Sequence, residues 1–208
     1  MNLPEVSIII TNYNYGRYLP RAVRSCLKQA SIDCEVIVVD DCSTDNSIEM
    51  LQPFVNEVKL IQLNKNAGVA AAANVGLKQS RGQFVIRVDA DDFVHGAMAY
   101  VMKLFLEGNH EAFCVACDYL LVDDYENTIE KKSAEGHPIS CGIMYRRDLL
   151  LHYGGYNDDN RHREEEELRA RLGDEYKIQF LQIPFYRYRM HNNNKTKTKE
   201  YAECKVEA

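Results

Sequence analysis

The stretch Phe84-Val85-Ile86-Arg87-Val88-Asp89-Ala90-Asp91-Asp92 decides the fold and points to the chemistry. Its first five residues form a largely apolar run, typical of a central strand covered on both faces of a sheet. Carboxylates at spacing two follow directly, on a turn just past the strand. In open α/β sheets, ligands bind at the carboxyl ends of the strands. Converging carboxylates there suit a hard divalent cation and, with it, a diphosphate. The alternative is a polar turn that caps the next helix.

Strand and helix signals alternate through the first two thirds of the chain. Apolar runs predict strands at 6–10, 35–39 and 58–63, and helical spacing predicts helices at 19–30 and 70–78. A short helix through Leu51 would be N-capped by Ser43 or Thr44. Near-continuously apolar strands separated by helices predict an α/β fold with a mostly parallel central sheet flanked by helices.

The pattern changes from about Asp118 onward. Residues 123–136 are polar and poor in β-branched side chains, which predicts a surface loop. Shorter strands are predicted at 139–145, 177–182 and 185–190, with a charged helix between them. This half is therefore expected to be α+β and to pack on the same sheet.

Composition narrows the function further. The 208 residues are 46% hydrophobic and 27% charged, as in a globular domain, and the net charge of -6 argues against a nucleic-acid partner. We see no signal peptide and no run of ~20 apolar residues, which predicts a cytoplasmic protein. The seven cysteines are odd in number and scattered, so Cys114 and Cys117, although spaced CxxC, are expected to be reduced core thiols.

One basic segment lies near the C-terminus. It comprises Lys195, Lys197 and Lys199, with Arg187 and Arg189 before them. Such a patch could contact an anionic lipid surface at the inner face of a membrane, or a phosphorylated substrate. The alternative is a frayed, solvated chain end.

Polar residues follow every predicted parallel strand, and in a doubly wound sheet these turns line one crevice. They are Thr11, Asn12, Tyr13 and Asn14, then Asp40 and Asp41, then 64–68, then Asp89, Asp91 and Asp92. Neither GxGxxG nor GxxxxGK[ST] is present. A carboxylate-rich site without a glycine-rich cradle predicts a nucleotide diphosphate held through Mg2+ or Mn2+.

These segments in order resemble the successive motifs of family 2 inverting glycosyltransferases of the GT-A fold, and the Asp89–Asp91 pair resembles their DXD motif. The resemblance covers nearly the whole chain. Its motifs are Val6–Asn14, Val38–Asp45, Asn64–Val69 with Asn74 and Gly76, Asp89–Asp92, Gly154–Tyr156, the Glu-rich helix from about Glu164, and Tyr186–His191.

The resemblance implies a role for each motif. Thr11 and Asp41 would bind the nucleobase, and Asp41, as an acceptor for an imide N–H, favours uracil. Asp89 and Asp91 would bind metal and ribose, Asp92 would share either role, and His191 would add a metal or diphosphate contact. The remaining nucleotide-binding candidates are Asn12, Tyr13, Asn14, Asp40, Asn66, Gly68 and Asn74.

Inverting transfer needs a base to take the proton of the acceptor hydroxyl. The family pattern puts this base on Glu165, preceded by Glu164, although Glu164 and Glu166 remain alternatives. Glu replaces the family's usual Asp here. The other interpretation of the glutamates is an acidic first turn favoured by the helix dipole, with Arg169 and Arg171 as partners.

A second departure from the family is Ala73, where many relatives carry an arginine. Lys65 or Arg81 could supply the missing cation.

The resemblance implies a single GT-A domain over 1–208, with a nucleotide-sugar half (1–117), an acceptor-side half (118–194) and a tail (195–208).

The expected function is metal-dependent, inverting transfer from a nucleotide-diphosphate sugar, most simply a UDP-sugar, to a carbohydrate or lipid-linked saccharide acceptor. Surface polysaccharide or glycolipid assembly is the expected setting. The alternatives are a non-catalytic sugar-nucleotide-binding scaffold and a sugar-nucleotide pyrophosphorylase. The oligomeric state cannot be read from the sequence.

Overall fold

The computed structural model describes residues 3–159, 163–191 and 194. Nine strands form one sheet in the order β3-β2-β1-β4-β8-β6-β9-β5, and β7 pairs with β6. The strands are β1 (Val6–Asn12), β2 (Cys34–Asp40), β3 (Lys59–Gln62), β4 (Phe84–Asp89), β5 (Phe93–Val94), β6 (Cys114–Val122), β7 (Thr128–Lys132), β8 (Ile143–Arg146) and β9 (Ile178–Arg189). The helices are α1 (Leu19–Leu27), α2 (Ser47–Met50), α3 (Val69–Gln79), α4 (Met98–Gly108), α5 (Arg147–His152) and α6 (Glu164–Leu172).

The sheet is parallel in its first part and mixed in its second. Strands β3, β2, β1 and β4 pair in parallel, whereas β8 runs antiparallel between β4 and β6. The α/β class and the sheet flanked by helices are therefore confirmed. Because β8 continues the sheet from β4 to β6, both halves of the chain share one sheet.

Two hydrophobic clusters sandwich this sheet, because the near-continuously apolar strands present side chains to both faces. One cluster packs α1 and α4 against one face, with Leu19, Val23 and Met102 fully buried. The other packs α3, α5 and α6 against the opposite face, with Leu77 and Leu168 at its centre.

Several predicted elements need correction. Residues 123–136 are not all loop, because β7 forms a hairpin with β6. The predicted strands 177–182 and 185–190 are one strand, β9. Helix α2 begins at Ser47 after Asn46 rather than after Ser43 or Thr44, because the Ser43 hydroxyl is used by Asp40.

Candidate active site

A cavity opens at the carboxyl ends of the parallel strands β1, β2 and β4. Helix α6 and the segment before β8 close its other side. It is lined by Thr11, Asn12, Tyr13, Tyr15, Asp41, Val69, Ala72, Arg87, Asp89, Asp91, Asp92, Pro138, Ile139, Ser140, Cys141, Arg163, Glu164, Glu165, Glu166, Tyr188 and Asn194. The fold thus brings together residues that are up to 183 positions apart in the sequence (Thr11 and Asn194).

The turn after β2 is held by its two aspartates in different ways. Asp41 lines the cavity and accepts backbone N–H bonds from Ala67 (2.7 Å) and Gly68 (2.8 Å). Asp40 is buried outside the lining, where it accepts from Asn12 Nδ2 (2.7 Å) and the Ser43 hydroxyl (2.6 Å). Asp41 therefore fixes the loop that follows β3, and Asp40 fixes the end of β1.

Five other candidates from the sequence lie outside the cavity lining, namely Asn14, Asn66, Gly68, Asn74 and His191. Asn14 has a positive φ of 59° and accepts from the Thr44 N–H, which shapes the turn after β2. Asn66 donates weakly to the Asp41 carbonyl at 3.4 Å, and Gly68 precedes α3. Asn74 is buried, and its side-chain amide forms hydrogen bonds with both the carbonyl and the N–H of Tyr156, so it links α3 to the second half of the chain.

The acidic turn after β4 is bound on several sides. Asp89 accepts from the Thr11 hydroxyl (3.1 Å) and from the Cys141 thiol (2.9 Å). Asp91 Oδ2 lies 2.9 Å from His191 Nε2. The two Asp92 oxygens accept from the Tyr186 hydroxyl (2.7 Å) and the Arg189 backbone N–H (2.8 Å).

Negative charge is concentrated at this turn. Burial raises the pKa of Asp92 well above its usual value, and the neighbouring Asp91 and Asp89 raise it further. Burial raises the pKa of Tyr15 as well, and the same three carboxylates add to the effect. A site where neighbouring carboxylates raise the pKa of Asp92 attracts cations.

The donor set fits a hard divalent cation. Asp89 and Asp91, with His191 on Asp91, offer carboxylate oxygens and an imidazole, which suit Mg2+ or Mn2+. Ligand atoms of Asp89, Asp92 and Cys141 also lie within 4.8 Å of one another. In that second group, however, Asp92 is almost fully buried, whereas the side chains of Asp89 and Asp91 are 31% and 11% exposed. Asp89 and Asp91 are therefore the more accessible carboxylates at this turn.

Helix α6 presents its glutamates in different environments. Glu164, Glu165 and Glu166 all line the cavity; the first two are buried, whereas Glu166 is exposed and 3.3 Å from Arg163. Glu165 Oε1 accepts from Arg169 (2.7 Å) and from the Tyr176 hydroxyl (3.0 Å). Among the described residues, no side chain bonds the other oxygen of Glu165.

Arg87 is the main residue that sequence reasoning missed. It is buried in β4, forms an ion pair with Glu164, and lies 3.4 Å from Asp89. Burial alone would lower its pKa, but Glu164 and Asp89 raise the pKa well above the usual value. A lone charge inside an apolar strand was the available signal.

The cations near the site also differ from expectation. Arg81 pairs with Glu35 at 3.1 Å outside the cavity, and Lys65 is not a lining residue. In the described part of the chain, the lining cations are Arg87 and Arg163. Arg189 is buried and donates to the Asp91 carbonyl at 3.0 Å, so it is not available to a lipid surface. The lysines of the basic segment lie outside the described residues.

None of the helices that the structure describes combines the length and apolarity needed to cross a bilayer. The described cysteines are free thiols, and Cys114 and Cys117 are buried in β6. This placement agrees with the expectation of core thiols.

Comparisons with known proteins agree with this geometry. An uncharacterised glycosyltransferase of Haemophilus influenzae is 38% identical over 113 residues, which are 53% of this chain and 45% of that protein. The poly(ribitol-phosphate) β-N-acetylglucosaminyltransferase TarS of Staphylococcus aureus is 35% identical over 111 residues, 51% of this chain and 19% of TarS. The chain thus spans less than half the length of these relatives.

Two solved structures share the fold. TarS residues 1–349 in complex with UDP-GlcNAc match with a TM-score of 0.78 and 23% identity, over 91% of this chain and 60% of that one. The mannosyltransferase PcManGT from Pyrobaculum calidifontis, in complex with GDP-Man and Mn2+, matches with a TM-score of 0.74 and 17% identity, over 93% and 59%. At these identities the likeness establishes the GT-A fold.

The family model described as glycosyl transferase family 2 matches residues 7–159, close to three quarters of the chain. The cavity at the strand ends, with its acidic turn and its glutamate helix, lies on the fold that this family uses. The chain belongs to glycosyltransferase family 2.

Proposed function

We propose that the chain is a metal-dependent, inverting glycosyltransferase that moves a sugar from a UDP-sugar to an acceptor hydroxyl. The observation that carries this proposal is the shared cavity, in which Asp41, the Asp89–Asp91 pair and Glu165 face the same space. The named activity of TarS and the nucleotide sugars bound by TarS and PcManGT support it.

The nucleotide would bind at the ends of β1 and β2. Asp41 still has acceptor capacity beyond its two backbone bonds, so it can accept the imide N–H of uracil. Asn12 Oδ1 is buried without a hydrogen-bond partner in the described residues, although Asn12 lines the cavity. A buried acceptor of this kind favours a ligand with a donor group nearby.

Asp89 and Asp91 would hold the metal, with His191 orienting Asp91 through the 2.9 Å contact. A divalent cation at this place supplies charge stabilisation for the leaving diphosphate. Asp92 would orient the turn, because it is almost fully buried and bonded by Tyr186 and Arg189, whereas the Asp89 side chain is 31% exposed. The PcManGT complex with Mn2+ supports such a site on this fold.

Glu165 would accept the proton of the acceptor hydroxyl. Arg169 and Tyr176 fix its Oε1, which leaves Oε2 to receive the proton. Glu164 is less suited because its partner Arg87 is buried, whereas Arg169, the partner of Glu165, is 38% exposed. Inversion follows if the base and the leaving diphosphate lie on opposite sides of the sugar ring.

We propose that the transfer serves polysaccharide or glycolipid assembly. The poly(ribitol-phosphate) transferase among the relatives supports this setting. We also propose a cytoplasmic location, with contact to the inner face of a membrane, and a saccharide acceptor. The division of the chain into halves at residue 117 belongs to the same proposal.

The test is nucleotide release from UDP-, GDP-, TDP- and CMP-sugars, with and without Mn2+ and with candidate acceptors. We expect release from a UDP-sugar that requires the metal. Glu165→Gln should lower acceptor-dependent transfer by roughly 10²- to 10⁴-fold while UDP still binds. Asp91→Asn should abolish nucleotide release both with and without Mn2+.

The matched control is Glu167→Gln, because Glu167 lies on the same helix but outside the cavity lining and pairs with Arg171. It should leave transfer within about threefold of the wild type. Full transfer by Glu165→Gln would remove Glu165 as the base. Binding of a UDP-sugar without turnover of any acceptor would instead favour the scaffold alternative.

A further inference from the structure

Arg87 connects the two sides of the cavity. Its side chain is 5% exposed, and its three guanidinium nitrogens each face a different group. Nη1 donates to Glu164 Oε1, Nε lies 3.4 Å from Asp89 Oδ1, and Nη2 lies 3.3 Å from the Cys141 sulfur. Asp89 ends β4, whereas Glu164 begins α6, so a single buried cation contacts both elements.

Helix α6 needs such an attachment at its first turn. Its N-cap residue, Arg163, makes no capping side-chain bond, and the helix begins with four successive glutamates. In the residues that the structure describes, Arg87 is the hydrogen-bond partner of the Glu164 side chain. Glu165 is the next residue, so the ion pair of Glu164 constrains where Glu165 stands.

We propose that Arg87 is a positioning residue that aligns the metal-side carboxylate Asp89 with the base on α6, by pairing with Asp89 and Glu164 at once. This inference rests on the proposed function. A guanidinium suits the task because Nη1 donates to Glu164 while its delocalised charge lies 3.4 Å from Asp89 at Nε, which makes no hydrogen bond among the described residues.

Two competing roles make different predictions. If Arg87 bound the diphosphate, its loss would weaken nucleotide binding as much as transfer. If Arg87 only neutralised buried charge, replacing the whole pair with apolar side chains of similar size would restore both stability and transfer.

The experiment compares Arg87→Met, the double variant Arg87→Met/Glu164→Met, and Arg81→Met as the matched control. Arg81 is 60% exposed and pairs with Glu35 away from the cavity. The readouts are the melting temperature, the affinity for UDP with Mn2+, and kcat and KM for transfer from the UDP-sugar that the wild type uses.

We expect Arg87→Met to lower the melting temperature and to lower kcat at least about 30-fold, while UDP affinity changes less than about threefold. The double variant should regain the melting temperature, because the buried Glu164 carboxylate is removed together with its cation, but not kcat. Arg81→Met should match the wild type in kcat and affinity.

Equal losses of UDP affinity and kcat in Arg87→Met would overturn the proposal in favour of a donor contact. Recovery of kcat in the double variant would overturn it in favour of charge balance. If the wild type transfers from no nucleotide sugar, the proposed function fails and this inference fails with it. If the wild type transfers and Arg87→Met keeps its kcat, the inference alone fails.

Discussion

Replacing Asn74 tests whether this buried amide supports the fold rather than the nucleotide. Asn74 Nδ2 donates to the Tyr156 carbonyl (2.7 Å) and to Asp158 Oδ1 (2.6 Å), and its Oδ1 accepts from the Tyr156 N–H (3.0 Å). Its 5% exposure means that water cannot replace these bonds. The bonds join α3 to the chain segment that precedes α6.

The structure sets the size of the effect. A net contribution of about 1 kcal/mol for each of the three bonds predicts that Asn74→Ala lowers the free energy of unfolding by about 3 kcal/mol. For a chain of this length, 1 kcal/mol shifts the melting temperature by about 2–4 °C, so the expected loss is about 6–12 °C. UDP affinity below the transition should stay within about threefold of the wild type, because Asn74 is not a lining residue of the cavity.

The assay is thermal unfolding with and without UDP and Mn2+, together with calorimetric UDP binding at 15–20 °C below the melting temperature. Asn109→Ala is the control, because Asn109 makes one exposed side-chain bond to the Phe105 carbonyl. It should lose less than about 1 kcal/mol. If Asn74→Ala melts with the control but binds UDP more than about tenfold more weakly, the nucleotide role implied by the family resemblance is correct and this reasoning is refuted.

Three further perturbations follow from burial, backbone contact and hydrogen bonding. Burial raises the pKa of Cys26 and Cys117 from 9.0 to about 12, so at pH 8 the thiolate fraction of each is about a thousandfold below that of an ordinary cysteine. Both should therefore react slowly with a disulfide reagent in the folded protein, and rapid labelling would contradict this. Gly82→Ala places a Cβ 2.6 Å from the backbone nitrogen of Ser7 in β1 and should lower the free energy of unfolding by about 2 kcal/mol. In Gly108→Ala the new Cβ meets no atom within 4 Å, so this control should keep the wild-type stability. Equal melting temperatures of the two variants would refute the close approach at Gly82. Burial would raise the pKa of Asp45, but its hydrogen bonds outweigh burial and lower the pKa below 3.8. The stability that the Asp45 carboxylate contributes is therefore present above pH 3.8 and lost as the pH falls through the lower pKa of the folded state. Asp45→Asn should flatten the acid side of the curve of stability against pH, and parallel curves for variant and wild type would argue against this reasoning.

The strands that build the site could be predicted because their apolar runs are long and bounded by polar turns. The predicted run 6–10 lies within β1, and 35–39 lies within β2, for this reason. Strand β7 was missed because all but its last residue are exposed and its side chains, apart from Ile129, are polar. Such an edge strand is stabilised by backbone pairing with β6, which leaves no hydrophobic period in the sequence.

Side-chain hydrogen bonds that the sequence pattern does not specify explain the rest of the difference. Ser43 has the right chemistry for an N-cap, but the Asp40 carboxylate three residues earlier accepts its hydroxyl at 2.6 Å. Local propensity cannot rank these two partners, because both satisfy the hydroxyl. Asn74 likewise matches a family motif, yet its partners lie more than 80 residues away.

The glutamates of α6 show where sequence reasoning stops and side-chain geometry begins. Spacing on a helix places Glu164 and Glu165 within 100° of each other, so either could face the cavity, and both do. Their partners separate them, since Glu164 is bound by Arg87 of β4 and Glu165 by Arg169 and Tyr176 within its own part of the chain. The buried Arg87 fixes the Glu164 carboxylate in place, which makes Glu164 a good anchor, whereas Oε2 of Glu165 accepts no bond from a described side chain. The assignment of Glu165 as base and Glu164 as anchor therefore depends on the lone arginine in an apolar strand, the residue that connects the two sides of the cavity.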